Sequence, residues 1–229
     1  MDQNKESIIL DDINIGSYQF SKDWRNQNPV ILDKLEIKNC KNFHYIYTSD
    51  LRIRQVVVEN MTGGSKDGGF LGGDMHLGGN NVFVRNNEKL GSIGLTIYNE
   101  DGIYTTDKTM EVSGNVFLDS SAQIQIHGDT QNSSEYKLTC TNNSKCKNID
   151  FYYLNEIKEL NIDFDADSLQ SLRISSCTIT EQALQNVVDA LATPTFSNQV
   201  TLWYDNSQPA LNQAQLDALA ANNINVQSS

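Results

Sequence analysis

The chain has 229 residues, of which 38% are hydrophobic and 8% aromatic, and its 17 basic and 29 acidic residues give a formal charge of −12. That length allows one or two domains with a substantial core. The acidic balance opposes phosphate backbones and anionic membrane surfaces, so nucleic acid is not an expected partner.

The opening residues MDQNKES are polar, and only Ile8, Ile9 and Leu10 follow before two aspartates. A classical signal peptide needs a basic segment and a longer apolar one, so export would have to take another route. No apolar run approaches the roughly 20 residues that cross a bilayer, and no membrane insertion is expected. Residues 1–30 carry no clear period; Trp24 and Pro29 suggest an irregular N-terminal cap, which a stack of repeats needs to cover its end.

The first repeats occupy 31–61, where Leu32, Leu35, Ile37 and Cys40 are echoed by Ile53, Val56, Val58 and Met61. An apolar-x-apolar core places two side chains on the buried face of a strand, and the flanking apolar residues close the turns. A glycine-rich loop over 62–81, TGGSKDGGFLGGDMHLGGNN, interrupts them with four glycine pairs that allow positive φ and tight turns. The segment 82–135 reads as short alternating strands, NVFVRN, LTIYNE, MEVSGN, VFLDSS and QIQIHGD, arranged as a β-helix or a β-meander.

Compact repeats fill 136–180. Leu138, Ile149, Leu160 and Leu172 recur at nearly even spacing, and taken in alternate pairs they predict coils of two strands each. Over 181–229 the elements alternate in type. Thr178 with Glu181 predicts a capping box ahead of a helix over QALQNVVDALA, VTLWY follows as a strand, Asn212 with Gln215 caps a second helix, and INV closes as a strand. All four cysteines, Cys40, Cys140, Cys146 and Cys177, fall where the pattern wants a small buried residue, so reduced core thiols are expected.

Catalytic signatures are missing, and His44, His76 and His127 lie far apart in the sequence, so no catalytic residue is assigned. Asp163, Asp165 and Asp167 alternate as in a calcium loop, but Ser168 and Ile174 stand where its glycine and glutamate belong. Gly69, Gly72, Asp74, Gly78 and Gly79 resemble one unit of a calcium-binding repeat, with Phe70 and His76 breaking it. No metal and no cofactor is therefore expected. The outward strand positions predict a partner-binding face formed by Glu36, Asp150, Tyr152, Asn161, Asp163, Arg173 and Trp203, whose rings and amides suit a sugar or a protein. Alternatively, Tyr152 and Trp203 pack against loops or a neighbouring subunit. In a remote third reading, Asp150 and Asp163 are the paired carboxylates of a polysaccharide-acting enzyme.

The matches at 32–40, 53–61, 146–154, 157–165 and 169–177 follow L-x-x-L-x-L-x-x-N/C and resemble the leucine-rich-repeat family, in a degenerate form without a strict asparagine ladder. The C-terminal portion resembles closing repeats of bacterial surface proteins and of structural proteins of tailed bacteriophages. The resemblance implies a mainly β fold: a single elongated β-solenoid with a β-rich middle and a C-terminal β-α-β-α-β cap. It implies binding rather than catalysis, by a virion component such as a fibre, decoration or tail accessory protein. The partner would be a protein, further copies of the chain in an oligomer, or a surface glycan. The alternative is a leucine-rich-repeat binding module or glycan-binding adhesin of a bacterium, cytoplasmic or exported without a classical signal peptide.

Overall fold

The computed structural model describes residues 6–14, 17–19, 31–48, 52–64, 73–96, 107–118, 122–128, 134–205 and 207–227. In chain order the strands are β1 (Glu6–Asp11), β2 (Ser17–Gln19), β3 (Ile31–Lys38), β4 (Lys41–Phe43), β5 (Tyr45–Tyr47), β6 (Arg52–Glu59), β7 (Thr62–Gly63), β8 (Gly73–Gly78), β9 (Asn81–Arg85) and β10 (Leu90–Thr96). They continue as β11 (Asp107–Ser113), β12 (Gln123–His127), β13 (Glu135–Thr141), β14 (Asn148–Tyr152), β15 (Glu156–Ile162) and β16 (Ser171–Ser175). The chain then runs α1 (Glu181–Ala192), β17 (Val200–Asp205), α2 (Gln213–Ala221) and β18 (Ile224–Gln227).

The chain alternates between two sheets. One has seven strands, β1-β3-β6-β9-β11-β13-β15, and the other nine, β18-β17-β16-β14-β12-β10-β8-β5-β2, with β4 and β7 paired in a small third sheet. Every pairing is parallel, which excludes an antiparallel meander for the middle segment: β9 to β12 extend the same two sheets. The even spacing noted above is resolved by register, since Leu138 pairs with Leu160 in one sheet and Ile149 with Leu172 in the other. Each pair of successive strands thus places one strand in each sheet, in line with the paired spacing of the sequence.

Parallel register stacks like on like. Leu35, Val56, Val82, Met110, Leu138 and Leu160 form one buried row, and Ile46, Met75, Ile93, Ile124, Ile149, Leu172 and Leu202 another. Both rows join a single apolar core. Burying a Leu, Ile or Val stabilises by about 1.5–3 kcal/mol, so these rows dominate the favourable side of folding.

Strands of the seven-stranded sheet end in a shared device. Asp12, Asn39, Asn60, Asn86, Gly114 and Asn142 have φ between 51° and 66°, the left-handed region that Asn, Asp and Gly tolerate best. Each turns the next residue inward, and Cys40, Met61, Asn87, Asn115 and Asn143 form the resulting buried row. Asn87 Nδ2 donates to Asn115 Oδ1 at 2.9 Å and Asn115 Nδ2 to Asn143 Oδ1 at 3.0 Å, each pair being 28 residues apart. The quoted matches do not close on asparagine, but a three-membered ladder exists outside them, Asn87 and Asn115 in the middle segment and Asn143 just after it.

Other expectations change as well. Residues 6–11 and 17–19, placed in an irregular cap, supply the first strands of both sheets. The N-cap of α1 is Thr180, whose side chain accepts from Ala183 N, while Thr178 makes a backbone bridge to Gln208. A cap at Thr180 sits next to the first helical residue, as capping geometry requires. The capping box of Asn212 and Gln215 is present as expected. Of VFLDSS, Val116 and Phe117 make isolated bridges rather than a strand. Residues 65–72 of the glycine-rich loop, Trp24, Pro29, and Ile97, Tyr98, Asn99 and Glu100 of LTIYNE lie outside the described residues.

After β16 the chain replaces strands of the seven-stranded sheet with helices. α1 packs on β15, the last strand of that sheet, and α2 packs on α1 and β18. The strand-helix-strand-helix-strand order of the C-terminal region is as the sequence indicates. All four cysteines are free and buried.

Candidate binding face of the nine-stranded sheet

The outward positions of this sheet from β5 to β17 follow from period two. In register they give one row, Tyr47, His76, Gly94, Gln125, Asp150, Arg173 and Trp203, and a shorter one beside it, Thr96, His127, Tyr152, Ser175 and Asp205. Four of the predicted face residues, Asp150, Tyr152, Arg173 and Trp203, are therefore brought together. Glu36 and Asn161 stand on the seven-stranded sheet instead. A single face through all seven does not form, because the matches fall on different sheets: 32–40, 53–61 and 157–165 on the seven-stranded one, 146–154 and 169–177 on the nine-stranded one.

Arg173 is the hub. Its Nη1 donates to Tyr152 Oη and its Nη2 to Asp205 Oδ2, both at 3.4 Å. Its guanidinium lies 5.7 Å from the Tyr152 ring centre and 5.5 Å from that of Trp203, within cation–π range of both. His127 stacks at 4.9 Å from Tyr152 and 5.9 Å from Tyr153, which is exposed. Gln125 Nε2 reaches Asp150 Oδ2 at 3.3 Å.

Partial burial sets the electrostatics. It raises the Asp150 carboxyl above its ordinary value, opposed by the Gln125 hydrogen bond and the charges of Arg173 and His127. It lowers the His127 imidazole, opposed by Asp150. The face thus combines an imidazole, planar amides, carboxyl groups and one guanidinium held between rings.

A second ring cluster lies at the β5–β8 end of this face. Tyr45 and Tyr47 stack with centroids 6.0 Å apart, and His76 sits 5.8 Å from Tyr45 and 6.4 Å from Tyr47. Between the clusters β10 turns only Ser92, Gly94 and Thr96 outward. A Cβ on Gly94 would come within 2.9 Å of His76 Nδ1, so glycine keeps this strip low and lets the imidazole lean over it. Sequence reasoning missed Gln125, His127, Tyr153 and the Tyr45–His76 cluster. The alternation in QIQIH is a usable signal, but it does not say which sheet the strand joins.

The remaining predicted residues have structural partners. Lys34 holds Glu36 at 2.8 Å, and Lys38 contacts Glu36 and bonds Glu59 at 2.9 Å. Hydrogen bonds from Lys34 and Lys38 hold Glu36 below the usual carboxylate range. Asp163 follows β15, and its carboxylate accepts Asn142 N at 2.6 Å; Asp165 accepts Lys145 N at 2.7 Å and Asp167 accepts from Ser197, so the alternating aspartates organise turns. Asp163 and Asp150 belong to different sheets and are not brought together as a carboxylate pair. Asp74 of the calcium-like unit accepts from Ser92 Oγ at 2.8 Å, while Gly69 and Gly72 lie outside the described residues.

Two further openings, of about 380 and 550 Å³, line the seam of β15 with α1, where Asn186 Nδ2 donates to Leu160 O. Among the described residues no three His, Cys, Asp or Glu side chains are grouped to hold a metal ion, and no helix is long and apolar enough to cross a membrane. No protein-family model, curated protein or solved structure matches the chain.

Proposed function

We propose that the chain is a parallel β-solenoid of leucine-rich-repeat-like coils with a C-terminal β-α-β-α-β cap. In this reading it serves as a non-enzymatic structural or adhesive protein, a bacteriophage virion component such as a fibre, decoration or tail accessory protein. The observation that carries the reading is the strict alternation of the chain between two parallel sheets, with like residues stacked in register through β3 to β16. Such a stack is a quasi-one-dimensional body whose outer rows are long, regular surfaces, suited to holding a partner rather than enclosing a substrate. A bacterial binding module built on the same coils is the second reading, favoured by the ring and amide rows of the nine-stranded sheet.

Two measurements test this. Small-angle scattering should give an elongated particle, and sedimentation at high concentration should show self-association; a round, strictly monomeric particle would refute the structural role. Mass spectrometry of purified phage particles from cells carrying the gene should find the chain stoichiometrically, and its restriction to the cell fraction would favour the second reading.

A further inference from the structure

The two ring clusters and the low strip between them form one continuous trough across the nine-stranded sheet. Tyr47 and Trp203 stand at its two ends, six strand spacings apart, about 29 Å at about 4.8 Å per spacing. Its floor is polar and small, built from Ser92, Gly94 and Gln125. The rings at either end are flat, partly buried and held by neighbours, so they lose little freedom when covered.

We propose that this trough binds a neutral, extended, β-linked polysaccharide lying across the strands. The proposal rests on the solenoid reading above and names the ligand of its ring-bearing face. One pyranose unit in an extended β-linked chain is close in length to one strand spacing, so successive sugars meet successive rungs. The apolar faces of terminal sugars stack on the Tyr47–His76 and Tyr152–Trp203 rings, a use of rings with an apolar body and polar rim. Between them the Gln125 amide and the Asp150 carboxylate supply planar donors and acceptors for paired hydroxyls.

Charge narrows the class. The chain carries −12, and Asp74, Asp150 and Asp205 sit on this side with Arg173 already bonded to Asp205. Polyuronates and sulfated glycans are repelled; a neutral chain is not.

The test uses the full chain and isothermal titration with cello-, manno- and chito-oligosaccharides from dimer to octamer. At least one series should bind with affinity that rises with length and then levels off once the trough is filled. Trp203→Ala and Tyr152→Ala should each weaken it about tenfold or more, in line with loss of a stacking ring. Phe83→Ala, on the other sheet, should leave it unchanged, and unaltered circular dichroism certifies the fold of each variant. Absence of binding in all three series, binding that survives both ring substitutions, or binding confined to a polyuronate would overturn the proposal. So would a result in which Trp203→Ala abolishes self-association while no oligosaccharide binds, which assigns the trough to a protein contact. An elongated, associating particle that binds no sugar sinks this inference alone; a round monomer sinks the solenoid reading.

Discussion

Asn115 Oδ1 accepts from both the backbone N and the side-chain Nδ2 of Asn87, at 3.1 and 2.9 Å, and neither residue has any exposed surface. Asn115 Nδ2 also donates to Val84 O at 3.1 Å and to Asn143 Oδ1 at 3.0 Å. One side chain thus satisfies buried groups beside both neighbouring strands, β9 and β13.

Replacing it should be costly. Asn115→Leu is isosteric in bulk but strands the Asn87 donors, Val84 O and part of the Asn143 acceptor, at about 1–3 kcal/mol per buried group left unpaired. We expect a loss of about 3 kcal/mol or more in urea unfolding, against less than about 1 kcal/mol for Thr139→Ala on the outer surface.

The left-handed positions make a second, opposite-signed prediction. Gly114 has φ of 66°, and a Cβ there would lie 2.4 Å from Asn86 Oδ1, so Gly114→Ala should destabilise by about 1–2 kcal/mol. Lys145, exposed at φ 62°, has the same backbone without the glycine. Lys145→Gly should be neutral or stabilise by up to about 1 kcal/mol, read as a shift in the urea midpoint at constant slope.

Alkaline pH should unfold the protein through its thiols. Burial pushes Cys140 up to about 12, Cys177 to about 11, and Cys146 well above its ordinary value. The folded state binds more protons than the unfolded one once free thiols titrate near 9, so this stability is complete below pH 9 and lost as pH rises through 11 to 12, at up to about 1.4 kcal/mol per unit and thiol. Lys108 acts in the other direction. Burial lowers it to about 8, and it therefore costs stability below pH 8 and returns it between pH 8 and its ordinary value near 10.5. Urea midpoints measured under reducing conditions should fall above pH 9, and fall more steeply in Lys108→Met.

Capping can be checked with two threonines. Thr180 Oγ1 accepts from Ala183 N at 3.2 Å and donates to Lys158 O at 3.0 Å. Thr180→Ala should cost about 1–2 kcal/mol, while exposed Thr178→Ala should stay within about 0.5 kcal/mol in the same thermal or urea unfolding assay.

Local chemistry explains what the sequence reveals and what it hides. The inward rows are legible because period two and parallel register make Leu138, Ile149, Leu160 and Leu172 equivalent before any pairing is known. The helices are legible from Asn212 and from the apolar spacing of Leu184, Val187, Val188 and Leu191. What is hidden is sheet membership: Glu36 and Asp150 occupy the same place in the pattern, yet the match at 32–40 joins the seven-stranded sheet and the match at 146–154 the nine-stranded one. A face is a property of stacking, so Gln125 and His127, which lie in a segment with no clear match, become visible only when β12 is seen between β10 and β14. Thr178 and Thr180 differ by less than the precision with which a helix start can be read from spacing.

The constant interval of 28 residues between Asn87, Asn115 and Asn143 makes the length of the molecule a discrete quantity. Excising residues 88–115 would carry Asn87 into the place of Asn115, beneath Asn143, and lay β9 against β13 with Val82 facing Leu138. The helical end over β15 would not register the change. Within 87–143 the stack of parallel strands should thus accept loss of one 28-residue unit without altering the helical end that follows.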